Sequence, residues 1–231
     1  MEAMIGMLLA HHREVVDSLR EPTAEDPWRV LVSGCLAGWG CGVDGSDYGL
    51  GAALGDLAAL PAFRALPFCP EQEALGTPRT MPDIHGGDGF DVIAGRARIL
   101  DENGNDLTAR MLAGARAMLA YARSGGAELA ILTDMSAACG SQVISDGCRL
   151  VDARRFRKGA GVATAMLLDA GIPVVSQRDF RTLGLLRARL EPGYRPPAGG
   201  LDHHEHPWTR AHLPGPHPRA GRPTSNGGDE S

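Results

Sequence analysis

Residues 106–133 read DLTARMLAGARAMLAYARSGGAELAILT, and this stretch decides the fold class. Asp106 is a good helix N-cap. After it, Leu107, Met111, Leu112, Ala115, Met118, Leu119 and Ala122 fall on one face of a helix. Gly125-Gly126 ends that helix, and ELAILT (128–133) reads as a buried strand. The same order recurs downstream: GVATAMLLDAG (161–171) is a helix closed by glycine, IPVVS (172–176) a strand, and DFRTLGLLRARL (179–190) a last helix. Upstream, WRVLVS (28–33) and ALPF (65–68) are short apolar strands. Strands alternating with helices predict an α/β fold. The expected sheet is open, mainly parallel and Rossmann-like, with helices on both faces.

The flanks read differently. Residues 3–20 carry an approximate apolar stripe and predict a helix, within an N-terminal extension over 1–27. FDVIAGRARILDENGND, from Phe90, reads as a hairpin, and LGAALGDLAAL (50–60) as a weak helix. From Glu191 the chain turns rich in Pro, Gly, His and Arg, so residues 191–231 are expected to form a disordered tail beyond an α/β domain over 28–190. The cluster His203, His204 and His206 is then expected to be solvated rather than a metal site.

The net charge of −5 argues against a nucleic-acid binder that works by neutralising phosphates. No apolar run approaches the ~18 residues of a membrane span, and MIGMLLAHH lacks the features of a signal peptide. A cytoplasmic protein is expected. There the five cysteines should not form disulfides.

Three of them share a placement. VLVS ends just before Cys35, ALPF at Cys69, and AILT a few residues before Cys139. Ligands of an open parallel sheet bind beyond the carboxyl ends of the strands, so these cysteines could converge. No C-x2-C pair of the kind zinc favours is present, and C-x5-C (Cys35, Cys41) is unusual for zinc. Soft thiolates also suit iron–sulfur clusters, where three cysteines leave one iron of a cubane open. The residues alone leave iron and zinc both available. Glu71, two residues after Cys69, is placed for general acid–base work or is a solvated loop acid. Ser136 could bond a substrate or merely turn its loop. Asp44 is a turn residue or a polar pocket group, Asp134 a loop residue or helix cap, and Cys148 a structural residue beside a turn. SGCLAGWGCG lacks the G-x-G-x-x-G spacing of a dinucleotide loop and is followed by no P-loop lysine.

Four stretches in order, VSGCLAGWGCGVDG, FCPEQEALGTPR, ILTDMSAACG and GAGVATAMLLDAGIPVVS, resemble the bacterial thiouracil desulfidase family. Its pattern runs V-S-x-C-L-x-G, R-Y-D-G, C-P-E, G-L-P-T-P-R and S-P-S-C-G. The resemblance spans roughly residues 29–180. It implies a 4Fe–4S cluster held by Cys35, Cys69 and Cys139, with one iron open to the substrate sulfur and Cys41 a neighbour. It also implies a non-redox C–S hydrolysis of a small thioamide or thio-nucleobase such as 2-thiouracil, giving the oxo product and sulfide. Glu71 would manage protons and Ser136 would position or protonate the substrate, with Asp44 and Arg79 as further substrate-binding candidates. The sequence departs from the pattern at Gly42-Val43, where Arg and Tyr are lost, and at Ala138, where the second serine is lost. These departures support the cluster more than the substrate. They motivate the rival reading of an iron–sulfur or zinc protein that carries a cluster or sulfur without turnover.

Overall fold

The structure is a computed structural model and describes residues 12–215. In chain order the elements are α1 (residues 12–18), β1 (Trp28–Ser33), β2 (Phe63–Phe68), α2 (Pro70–Leu75), β3 (Asp83–His85), α3 (Gly89–Ile93), β4 (Arg98–Leu100) and α4 (Thr108–Ser124). They continue with β5 (Leu129–Leu132), β6 (Val143–Ser145), β7 (Phe156–Lys158), α5 (Val162–Asp169), β8 (Val174–Ser176), α6 (Phe180–Leu190) and α7 (Pro207–His212).

The main sheet has the order β2-β1-β5-β8, and every pair in it is parallel. Val30 sits in register with Ala65 on one side and Leu129 on the other. Alternation along the strands divides the apolar residues between two faces. Leu31, Ala130 and Leu132 pack with Met111, Ala115 and Met118 of α4 and Val162 and Leu167 of α5. Val30, Val32, Leu129 and Ile131 pack with Val15, Val16 and Leu19 near α1 and with Leu186 and Leu190 of α6. Helices therefore cover both faces, as expected. Each fully buried Leu or Ile contributes about 1.5–3 kcal/mol, so the two cores hold the sheet between them.

Some local readings change. The segment after Asp88 is not one arm of a hairpin. Asp88 accepts from the amides of Phe90 and Asp91, and Asp91 returns a bond to the Asp88 amide. This capping box starts α3 where alternation had suggested a strand. β4 pairs instead with β3, antiparallel, with Ile84 opposite Ile99. The β6–β7 pair went unread because each strand is only three residues long. Asp106 does bond the Thr108 amide, at 2.8 Å, but lies one residue before the helix cap, Leu107. Residues 50–60 form only a 3-10 turn over Gly55–Ala59.

The reading of a solvated tail from Glu191 also fails over its described part. Asp202, His203, Glu205 and Thr209 are buried, and α7 forms with Pro207 in its first turn. The segment is poor in apolar residues, but its polar groups find partners. Asp202 accepts from the Thr182 amide and hydroxyl at 2.9 and 2.8 Å, and Arg181 pairs with Glu205 at 2.7 Å. The expectations for residues 1–11 and 216–231 lie outside the described residues.

One contact of the fold sets the position of the site. A Cβ on Gly114 of α4 would lie 2.2 Å from the Pro70 carbonyl oxygen and 2.8 Å from Ala74 Cβ. Only glycine lets α2 approach α4 this closely. Gly114→Val should therefore destabilise the protein by about 1–3 kcal/mol, read as a lowered midpoint in urea. A midpoint equal to wild type would show that α2 is not held this way.

Candidate functional site

The site is built at the carboxyl ends of β1, β2 and β5. β1 is central, and the chain leaves it toward β2 on one side and later returns to β5 on the other. The crevice between β1 and β5 is thus the point where strand order reverses. The two strand ends are tied there. The Thr133 amide donates to Ser33 Oγ at 3.0 Å, and Cys35 Sγ lies 2.9 Å from Thr133 Oγ1. After β1 the chain tightens into a 3-10 turn over Gly34–Ala37. A Cβ on Gly34 would lie 2.8 Å from the Trp39 ring, 3.3 Å from Cys41 Sγ and 3.3 Å from Cys69 Cβ. The bare backbone at Gly34 is what allows these two thiol residues to close in.

Cys69 follows β2 and caps α2, with its Sγ accepting from the Gln72 amide at 3.4 Å. Pro70 starts that helix where no amide is needed, and this turns Glu71 inward. Glu71 is 8% exposed. Its Oε2 accepts from Arg79 Nη2 at 2.7 Å and its Oε1 from the Ser136 hydroxyl at 2.8 Å. Ser136 Oγ in turn accepts from the amides of Ala138 and Cys139, at 3.1 and 3.0 Å. A continuous chain of bonds therefore runs from Arg79 through Glu71 and Ser136 to the Cys139 backbone.

These groups line one cavity of about 460 Å³, a size suited to a small ligand. Cys35, Cys41, Cys69 and Cys139 all face it, with Glu71 and Ser136 beside them. Arg79 lines it too. Asp44 does not: it is exposed, and its carboxylate accepts from the amide and hydroxyl of Ser46 at 2.9 and 2.7 Å. It is a turn residue, and its expected place in the pocket is corrected. Cys148 also stands outside the cavity.

The thiols differ in acidity. The neighbouring Cys41 thiol is the largest influence on Cys35, which is lowered to about 7, and on Cys69, which is also lowered. Cys41, which faces both of them, is pushed up. Burial, reinforced by the charges of Cys69 and Glu71, pushes Cys139 well above the usual thiol range. Among the described residues no three His, Cys, Asp or Glu side chains are placed to share a single metal ion. The thiols that line the cavity are soft ligands of the kind that iron–sulfur clusters take.

Residues that the sequence did not single out also line the cavity, among them Tyr48, Met135 and Arg149. Tyr48 and Met135 have φ of 55° and 64°, a conformation costly for bulky side chains and invisible in composition. The Tyr48 hydroxyl accepts from the Val43 amide at 2.6 Å, so the ring folds back over the GVDG loop. Asp134, read as a loop residue or cap, gathers that loop instead. Its Oδ1 accepts from the amides of Met135, Ser141, Gln142 and Val143 at 3.0–3.2 Å.

The 2-thiouracil desulfurase family profile matches residues 30–179, which span the strands and all of these groups. The chain belongs to that family. It is thus an enzyme of the desulfurase class. It is similar to the uncharacterized protein YbbK of Bacillus subtilis strain 168, at 35% identity over 156 residues, or 67% of this chain and 99% of that one. Among solved structures it resembles the 4Fe–4S-dependent thiouracil desulfidase TudS, at 31% identity and a TM-score of 0.55, over 70% of this chain and 98% of that chain. Among the described residues no helix is long and apolar enough to cross a membrane.

The Arg79–Glu71 pair is nearly dry, with side-chain exposures of 5% and 11%. Removing one partner of such a pair strands the other charge. Arg79→Leu should cost about 3–5 kcal/mol, and the double change Arg79→Leu/Glu71→Leu should cost less than Arg79→Leu alone. Urea denaturation of the single and double variants checks this, and simple additivity would contradict it.

Proposed function

We propose that this protein is a desulfidase that replaces the sulfur of a small thiocarbonyl compound such as 2-thiouracil with oxygen, without net redox change, using a 4Fe–4S cluster held by Cys35, Cys69 and Cys139. The observation that carries this reading is the 2.8 Å bond between Ser136 and Glu71 inside the one cavity onto which the three cysteines open. The cluster dependence of TudS supports it. The donor set fits the group, being all sulfur, soft, and gathered on one cavity. When bound, the cluster would supply a Lewis-acidic iron not held by cysteine, suited to a soft sulfur atom.

The rest of the chemistry falls to the chain. Glu71 accepts a proton from the water whose oxygen bonds the thiocarbonyl carbon. The carbon–sulfur bond then breaks, sulfide leaves, and the proton held at Glu71 is returned to it or to the product. Arg79 holds the carboxylate in one orientation while this proton moves. Ser136, whose oxygen accepts from two amides, donates its hydroxyl proton to Glu71 and holds that carboxylate in place at the cavity wall. Cys41, whose thiol is pushed up beside Cys35 and Cys69, is assigned as their neighbour rather than as a ligand. The connected Arg79–Glu71–Ser136 chain favours turnover over a carrier role, because a carrier has no use for a positioned acid–base group.

Anaerobic reconstitution with iron and sulfide tests the proposal. The loaded protein is expected to release uracil and sulfide from 2-thiouracil in equal amounts. Glu71→Gln should lower the rate by about 10²–10⁴-fold with iron content unchanged. Alanine at Cys35, Cys69 or Cys139 should abolish iron retention, while Cys41→Ala and Cys148→Ala should keep it. Retained iron in all three single variants, or full sulfide release from Glu71→Gln, would overturn the assignment.

A further inference from the structure

The matched family region ends at residue 179, and YbbK is almost wholly accounted for by 156 residues of this chain. The segment around Asp202–Glu205 lies beyond that region, yet it reaches the site. His203 Nδ1 donates to Asp134 Oδ2 at 2.5 Å, and both side chains are essentially inaccessible to solvent. Asp134 is the carboxylate whose other oxygen collects the four amides of the loop that carries Ser136 and Cys139. A second route joins the same partners. The His203 amide donates to Asp179 Oδ1 at 3.0 Å, and that oxygen also accepts from Gln142 Nε2, a side chain of the same loop.

We propose that His203 is a positioning residue of this enzyme: from outside the matched family domain it fixes Asp134, and through Asp134 the backbone that presents Ser136 and Cys139 to the cavity. The inference rests on the proposed function only in naming Ser136 and Cys139 as site residues.

The geometry favours a role in the site over mere covering of surface. A segment that only shielded the sheet would meet it with apolar groups. This one offers a buried imidazole to a buried carboxylate, where each group needs the other. The segment is itself held firmly. Asp202 takes both the amide and the hydroxyl of Thr182, and Glu205 is bonded by Arg181 and caps the Asp202 amide at 2.9 Å. His203 thus stands on a fixed mount. Burial disfavours charge on Asp134, but the bond from His203, the attraction of its ring and the loop amides together hold this carboxyl below its usual range. Among the described residues no other side chain bonds Oδ2, so without the imidazole the loop's anchor is left half-satisfied.

The test reads the loop in the metal-free, full-length chain, so it does not depend on cluster chemistry. Each cysteine is labelled with N-ethylmaleimide over time and quantified by peptide mass spectrometry, with Cys148 as internal reference. In His203→Ala, Cys139 should label at least about tenfold faster relative to Cys148, reflecting local opening of the loop. His203→Asn, which can place an amide N–H near the position of Nδ1, should restore slow labelling. His204→Ala, whose ring stacks on His12 at 5.3 Å and does not bond the loop, should label as wild type. Wild-type labelling of Cys139 in His203→Ala would overturn the proposal. So would an equal rise at every cysteine, which marks general unfolding, or failure of Asn to restore protection. Should His203→Ala not fold, the Asn variant decides alone. Absence of sulfide release from the loaded wild-type protein, with the labelling pattern as expected, would count against the proposed reaction and leave His203 as assigned.

Discussion

β1 is paired in parallel on both sides, and the rest of the molecule follows from that constraint. Parallel pairing sends the carboxyl ends of β1, β2 and β5 to one edge. Each strand is then followed immediately by a turn or a helix that must begin at that edge. The residues that fill those first positions, Cys35, Cys69 and the loop to Cys139, are brought together although far apart in sequence. No special long-range contact is required to gather them. The fold gathers them because β1 has a neighbour on each side, and because the chain passes from one neighbour to the other across it.

How much of this could be read in advance depends on what carries the signal. The helix over 108–124 and the strand after it announce themselves through period and glycine, and the sheet type follows from their order. The thiols were legible as a group because each sits just past an apolar run. Asp44 was misplaced because a motif position says nothing about side-chain direction, and a serine two residues on captured its carboxylate. Tyr48 and Met135 were invisible because positive φ in a bulky residue leaves no mark in the sequence. The packing of His203 was missed for a different reason. Composition measures how much apolar surface a segment can bury, but this segment is held by polar bonds to Thr182, Arg181 and Asp134. A tail poor in apolar residues is unstructured only if its polar groups have no better partner than water.

Glu71 shows how local and global constraints agree. It lies in the first turn of α2, where the helix dipole favours negative charge. It is also held by Arg79, from the loop that follows, and by Ser136, from the far side of the crevice. A buried carboxylate with only one of these partners would be costly; with three it is stabilised and held in one orientation. Gly114 adds to the arrangement by letting α2, which carries Glu71, sit close on α4.

Beneath the cavity a second set of carboxyls is sorted by environment. Asp134 and Asp179 are both completely enclosed, yet they are driven apart. Asp134 collects four amides and an imidazole and is held low. Asp179 is pushed up to about 8, first by burial and then by the charge of Asp202. Asp134 is drawn toward its ionised form and Asp179 toward its protonated form. The sign of the linkage follows: a carboxyl raised in the folded state favours folding least at high pH, because the unfolded chain gives up its proton first. The protein accepts that cost at Asp179 because its oxygens accept from Gln142, the His203 amide and the Ser176 amide. These are the bonds that join the loop, the segment beyond the family region and the end of β8. The His12 ring also faces that junction, 3.7 Å from Asp179 Oδ2 and 3.6 Å from Asp202 Oδ2. The charge that remains is placed on Asp134, where the loop amides point and His203 can meet it.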